Sequence, residues 1–162
     1  YSMNSQSHLT LNWDLSSIGM LPQGSISSAC IISAPSSVYI FGGTLNRTRS
    51  PISDRVLKWD YLNNTQFVEI PAILPSPTVC EQNIAYNIKH HRIYLVGTTL
   101  SNSLSYGNID VFNAMSDAFE TNHNIPNMPI PVRSNCVAMD NLNNALYSIG
   151  GIKSDEAATN QL

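Results

Sequence analysis

Apolar residues in this chain come in short bursts of four or five, separated by turn-forming residues, and never at helical spacing. Val38-Tyr39-Ile40-Phe41 runs into Gly42-Gly43, Ile93-Tyr94-Leu95-Val96 into Gly97-Thr98, and Leu146-Tyr147-Ser148-Ile149 into Gly150-Gly151. The first glycines stand at 42, 97 and 150, so the phrase returns after 55 and then 53 residues. Nearly continuous apolar runs of this length predict strands covered on both faces. Arg55–Asp60 alternates instead, which places Val56 and Lys58 on one face and Leu57 and Trp59 on the other.

Around each phrase a longer unit aligns. Asn135–Gly151 matches Gln82–Thr98 without a gap, and Ala29–Gly43 matches both after a two-residue deletion in the turn. Ser36-Ser37, His90-His91 and Asn143-Asn144 then fall together as hairpin-turn residues. Beyond the glycines a loop leads to a second strand pair. There Arg55–Ile70 aligns with Gly107–Asn122, Trp59-Asp60 meets Phe112-Asn113, and Phe67 meets Phe119. Proline phrases at Met20, Ile73 and Met128 close the units, and Trp13 holds the place of Phe67 in a remnant at the start. Each unit offers four short antiparallel strands. One such sheet cannot hide two apolar faces, so the units are expected to stack. The divisions are 1–26 as a remnant and link, 27–78 and 79–133 as complete units, and 134–162 as the start of a third.

These residues resemble the kelch repeat, in which a glycine doublet follows an apolar strand and is followed by two spaced aromatics. Gly42-Gly43 and Gly150-Gly151 fit, Gly97-Thr98 departs, and Trp59, Phe112, Phe67 and Phe119 fill the aromatic places. The resemblance spans about Trp13 to Gly151. It implies an all-β fold of kelch-type β-propeller blades, with the strand holding Cys30, Asn83 or Cys136 innermost. Propellers close with about 4–8 blades, so about three blades imply an incomplete ring, finished by further blades of the same chain or another copy.

Composition narrows the partners. At 43% hydrophobic and 12% charged the chain is globular, with about half the usual share of charge. Its net charge of −3 gives no basic footprint for nucleic acid, and no apolar run approaches the roughly 18 residues of a membrane span. Tyr1–Thr10 lacks the pattern of a signal peptide, and the opening Tyr suggests that an upstream piece was removed. The three cysteines, Cys30, Cys80 and Cys136, read as small buried apolar residues, with a disulfide as the alternative. Two units separate Cys30 from Cys136, which excludes a bond between them.

Catalytic and metal motifs are absent from the sequence, and no cofactor is expected. His90-His91 is a turn, His8 and His123 stand alone, and Asp140–Asn144 lacks the glycine and distal Glu of a calcium loop. Asp117 and Glu120 flank a turn and make a poor acid–base pair. Strand alternation instead gathers the post-glycine loops and proline links on one face, where kelch-like proteins bind ligands. Arg47, Arg49, Arg55, Tyr106 and Arg133 concentrate there, of types favoured at interfaces. The resulting expectation is a non-catalytic module that binds a protein or glycan. The alternatives are part of a secreted carbohydrate-active enzyme, of copper-radical oxidase or epimerase type, and an intracellular adaptor for ubiquitin ligase or actin.

Two Asn-x-Thr sequons, at Asn46 and Asn63, sit in a predicted loop and a predicted turn. With the sparse charge they favour a secreted or cell-surface protein; the odd cysteine count favours the cytoplasm. Glycosidase treatment of protein from a eukaryotic source should lower its intact mass. Both asparagines bare would support the cytoplasmic alternative.

Overall fold

The computed structural model describes residues 28–44, 52–63, 66–75, 83–97 and 107–153. Twelve strands run through them: β1 (Cys30–Ala34), β2 (Ser37–Phe41), β3 (Arg55–Asp60), β4 (Val68–Ile73), β5 (Ile84–Asn87), β6 (Arg92–Val96), β7 (Ile109–Asn113), β8 (Ala118–Phe119), β9 (Val132–Arg133), β10 (Cys136–Asp140), β11 (Ala145–Ile149) and β12 (Ile152–Lys153). The fold is all-β, and the described residues contain no helix, hence none long and apolar enough to cross a membrane.

Two sheets repeat the same plan. The first orders β1-β2-β3-β4 and the second β5-β6-β7-β8, every neighbour antiparallel. A third unit opens with the hairpin β10-β11, while β12 pairs with β9. Strand β1 lies against β5 and β5 against β10, while β4 lies against β8, so the units stack in chain order. Equivalent positions even share backbone strain: Ser28 and Ser134 both have φ of 54° just before the first strand of their units.

Stacking follows from the apolar faces. Tyr39, Phe41 and Val56 of the first sheet meet Ile84, Ile93, Leu95 and Phe112 of the second in one buried cluster. Phe41 and Phe112 make an edge-on contact at 5.1 Å, and Tyr39 meets Phe112 at 5.3 Å, the arrangement aromatic quadrupoles favour. On its far side the second sheet presents Tyr94, Val96, Ile109 and Val111 to Val137, Met139 and Leu146 of the third unit. The alternation of β3 is as expected, since Val56 belongs to the first cluster and Leu57 and Trp59 to a separate one with Ile40 and Phe67.

Turn chemistry departs from the expected register at one point. Ser37 is no turn residue; it pairs with Ala34, is buried, and leaves Pro35-Ser36 as a two-residue loop. The longer turns share a device. Asn87 Oδ1 accepts from the N–H groups of Lys89 and His90 at 3.0 and 3.1 Å, Asn113 Oδ1 from Met115 and Ser116 at 3.0 and 3.3 Å, and Asp140 Oδ1 from Leu142 and Asn143 at 2.9 and 3.1 Å. Each turn then ends on a residue of positive φ: His91 at 53°, Asp117 at 52° and Asn144 at 58°. A short polar side chain closing its own turn in this way is the physical reason for Asn or Asp at the strand end.

The cysteines correct one expectation. Cys30 is fully buried and disulfide-bonded, whereas Cys136 is an exposed free thiol, so they are not three buried apolar residues. The exclusion of a Cys30–Cys136 bond holds, with β5 between their strands. Among the described residues Gly97 (φ 69°) is the tightest glycine: a Cβ there would collide with Val132 O and stand 2.9 Å from Met128 Cε. Gly97→Ala should therefore lower unfolding free energy by at least about 2 kcal/mol, and Asn113→Ala by about 1 kcal/mol through its lost turn bonds. Urea titration of both variants checks the order; an Asn113→Ala loss as large as that of Gly97→Ala would contradict it.

Candidate functional site

Each unit has two ends. At one lie the glycines and interunit links, at the other the hairpin turns. At the glycine end Gly42 N–H donates to Arg55 O, Leu74 N–H to Asp54 O and Met128 N–H to Gly107 O. These bonds seat each link against the start of the third strand.

The expected binding residues divide. Arg55 is exposed at the start of β3 and pairs with Glu69 Oε2 at 2.9 Å. Arg133, in β9, is half-buried, with a buried Nε that has no hydrogen-bond partner. Arg47, Arg49 and Tyr106, like Asn46, lie outside the described residues. Asn63 is exposed at the β3 turn, where its amide donates to Asp60 Oδ2 at 2.8 Å.

Sequence reasoning missed a layer of polar groups beneath the glycine end. Among the described residues, the buried side-chain atoms without partners are Asn108 Oδ1, Asp110 Oδ2, His123 Nδ1, Arg133 Nε and Asn135 Oδ1. Asn108 and Asp110 open the third strand of the second sheet, and Asn135 precedes β10. Asn108 Nδ2 donates to Asp110 Oδ1 at 3.3 Å, and Asn135 Nδ2 to Ser148 Oγ at 2.7 Å. Burial pushes the Asp110 carboxyl above the ordinary carboxylate range, while the Asn108 amide and nearby His123 pull it back. Each orphaned buried polar atom carries a desolvation penalty of about 1–3 kcal/mol. Asp110 was legible as an anomaly, a lone acid where the first sheet has Leu57.

Two crevices open at the turn end, one unit apart. The first, about 280 Å³, is lined by Pro35, Ser37, Tyr39, Tyr86, His91 and Ala114. The second, about 250 Å³, is lined by His90, Arg92, Tyr94, Ile125, Met139 and Leu146. Tyr39 and Tyr94 hold equivalent places. Adjacent His90 and His91 thus serve different crevices and do not converge on one point.

In the first crevice Tyr39 Oη donates to Asp117 Oδ1 at 2.8 Å, and Lys58 Nζ reaches Asp117 Oδ2 at 2.6 Å. Burial and the Asp117 carboxylate push the phenol well above its usual range, so Tyr39 stays protonated and acts as a donor. This is a polar clasp between two sheets rather than a nucleophile. Tyr86 Oη lies 3.2 Å from His91 Nδ1.

No protein-family model and no curated protein matches the chain.

Two outcomes follow. Asp110 has a higher pKa folded than unfolded, so its ionisation destabilises the fold at neutral pH, and the penalty fades as pH falls through that raised value. Asp110→Asn should raise the melting temperature more at pH 7 than at pH 3; an equal change at both would contradict the assignment. Tyr39→Phe should cost about 1.5–3 kcal/mol, the range for a hydrogen bond to a charged group. A double-mutant cycle with Lys58→Met should show coupling through Asp117, and strict additivity would refute the clasp.

Proposed function

We propose that the chain is part of a kelch-type β-propeller and works as a recognition module, taking a protein or glycan on the glycine-end loops without catalysing a reaction. The observation that carries this reading is the layer of partnerless polar atoms at that end, from Asn108 and Asp110 to Arg133 and Asn135. Such atoms suit a polar ligand, whose hydroxyl or amide groups supply the missing partners. Exposed Arg55 stands at the same end, with Arg47 and Arg49 a few residues before it in the chain.

The same reading places the protein at the cell surface or outside the cell. A buried disulfide at Cys30 suits an oxidising compartment, and exposed Asn63 is accessible to a glycan.

Glycan-array binding together with cross-linking pull-down should identify a ligand. The combined Arg47→Ala, Arg49→Ala and Arg55→Ala variant should then bind it about tenfold more weakly, a change of about 1.4 kcal/mol. Unchanged affinity would dismiss this surface.

A further inference from the structure

The first crevice at the turn end lies in the junction between the two four-stranded sheets, all of whose strands are described. It holds about 280 Å³, with Pro35 and Ser36 of the first sheet on one side and Tyr86, His91, Ala114 and Met115 of the second on the other. Its walls are fixed before anything enters. Tyr61 Oη donates to Pro35 O, Ala114 N–H donates to His91 O at 2.8 Å, and Tyr39 Oη lies 3.1 Å from Ala114 O. Among the described residues no carboxylate, ammonium or guanidinium group lines the space. Lys58 and Asp117, which adjoin Tyr39, are paired with each other at 2.6 Å.

One pair in the lining is more than the fold requires. The repeat register sets Met139 and Asn144 of the third unit where the second has Tyr86 and His91. His91 ends its turn at φ 53°, Asn144 at 58° and Asp117 at 52°, and Asn or Asp is the ordinary choice for that conformation. The backbone of the turn therefore does not call for histidine. What His91 adds is its Nδ1, 3.2 Å from Tyr86 Oη, with both side chains half-buried at the wall. Burial pushes the Tyr86 phenol above its usual range, so at neutral pH it keeps a hydroxyl hydrogen to donate.

We propose that this crevice is a second binding site, at the end opposite the glycine loops, and that it takes one neutral hexose ring of a glycan. Ser36 Oγ, Tyr86 Oη and the His91 imidazole meet the ring hydroxyls, while Pro35, Ala114 and the 77% exposed Met115 meet its C–H face. Size sets the first limit. The space falls just short of the roughly 300 Å³ at which pockets enclose a whole drug-sized ligand, so it suits a single ring. Polarity sets the second. Three hydroxyl or imidazole groups surround that ring, and an aromatic peptide side chain offers at most one polar atom to them, leaving the others unpaired at a cost. Every hydroxyl of a hexose both donates and accepts. A charged sugar would find no opposing charge. Because the walls are already held, little ordering opposes binding. The site does not rest on the glycine-end reading.

Amide NMR of the full chain, titrated with the methyl glycosides of glucose, galactose and mannose, checks this. At least one glycoside should shift the amides of Ser36, His91, Ala114 and Met115, with a dissociation constant of about 1–10 mM, as expected of a single ring. Tyr86→Phe removes one oxygen, and His91→Asn keeps a residue suited to the turn. Each should weaken that binding at least about fivefold while amides outside the crevice stay in place. Four results would overturn the proposal: no shift from any of the three glycosides, shifts confined to glycine-end amides such as Asn108 and Asn135, crevice shifts that both variants leave intact, or the same amides moved by N-acetyltyrosinamide and not by the sugars, which would make the crevice a peptide site.

Discussion

Everything in this molecule depends on one sheet burying the apolar face of the next. Four short strands hold enough backbone hydrogen bonds to form a sheet, yet their apolar residues point both ways, and a lone sheet would leave one set in water. At roughly 25 cal/mol per Å² of apolar surface removed from water, facing aromatics such as Phe41 and Phe112 are worth far more across the junction than any single polar contact. The polar contacts follow from that packing. Tyr39, buried with its sheet, carries its hydroxyl to Asp117 of the neighbour, and Asn87 carries its amide to Asn144 of the following turn at 2.7 Å.

Strand positions, the fourfold antiparallel unit and the facing of β3 were readable because apolar periodicity and burial are the same physical fact seen twice. Tyr39, Tyr94 and Tyr147 recur as the second residue of each run that leads to a glycine. The turns were read less well. Ser37 looked like a turn residue by composition, but a two-residue loop needs only Pro35-Ser36, so the strand begins one position sooner. Nothing in the spacing of the cysteines distinguished the disulfide-bonded Cys30 from the free Cys136.

The polar layer was the least legible part. Asn108, Asp110, His123, Arg133 and Asn135 are scattered over 28 positions of the chain (108 to 135), with no motif spacing. Asn108 reaches Asp110, and His123 acts on Asp110 only because the segment after β8 returns to the start of the third strand. Arginine in loops drew attention instead, being a surface property that composition reports directly. Of those arginines, Arg55 is engaged with Glu69 in an exposed pair of the sort that contributes little to stability.

The two junctions are built from different polar chemistry. Between the first and second sheets the Lys58–Asp117 ion pair spans the gap. Between the second sheet and the third hairpin, Asn87 donates to Asn144 and Ile88 N–H to Asn141 Oδ1, contacts between neutral groups, while the Lys89 ammonium, which donates to Leu142 O, also feels the Asp140 carboxylate. Ionic strength therefore acts unevenly along the stack. Dissolved salt weakens the attraction across the first gap and leaves the amide contacts of the second nearly untouched, so one seam answers to its medium while the other keeps its grip in brine.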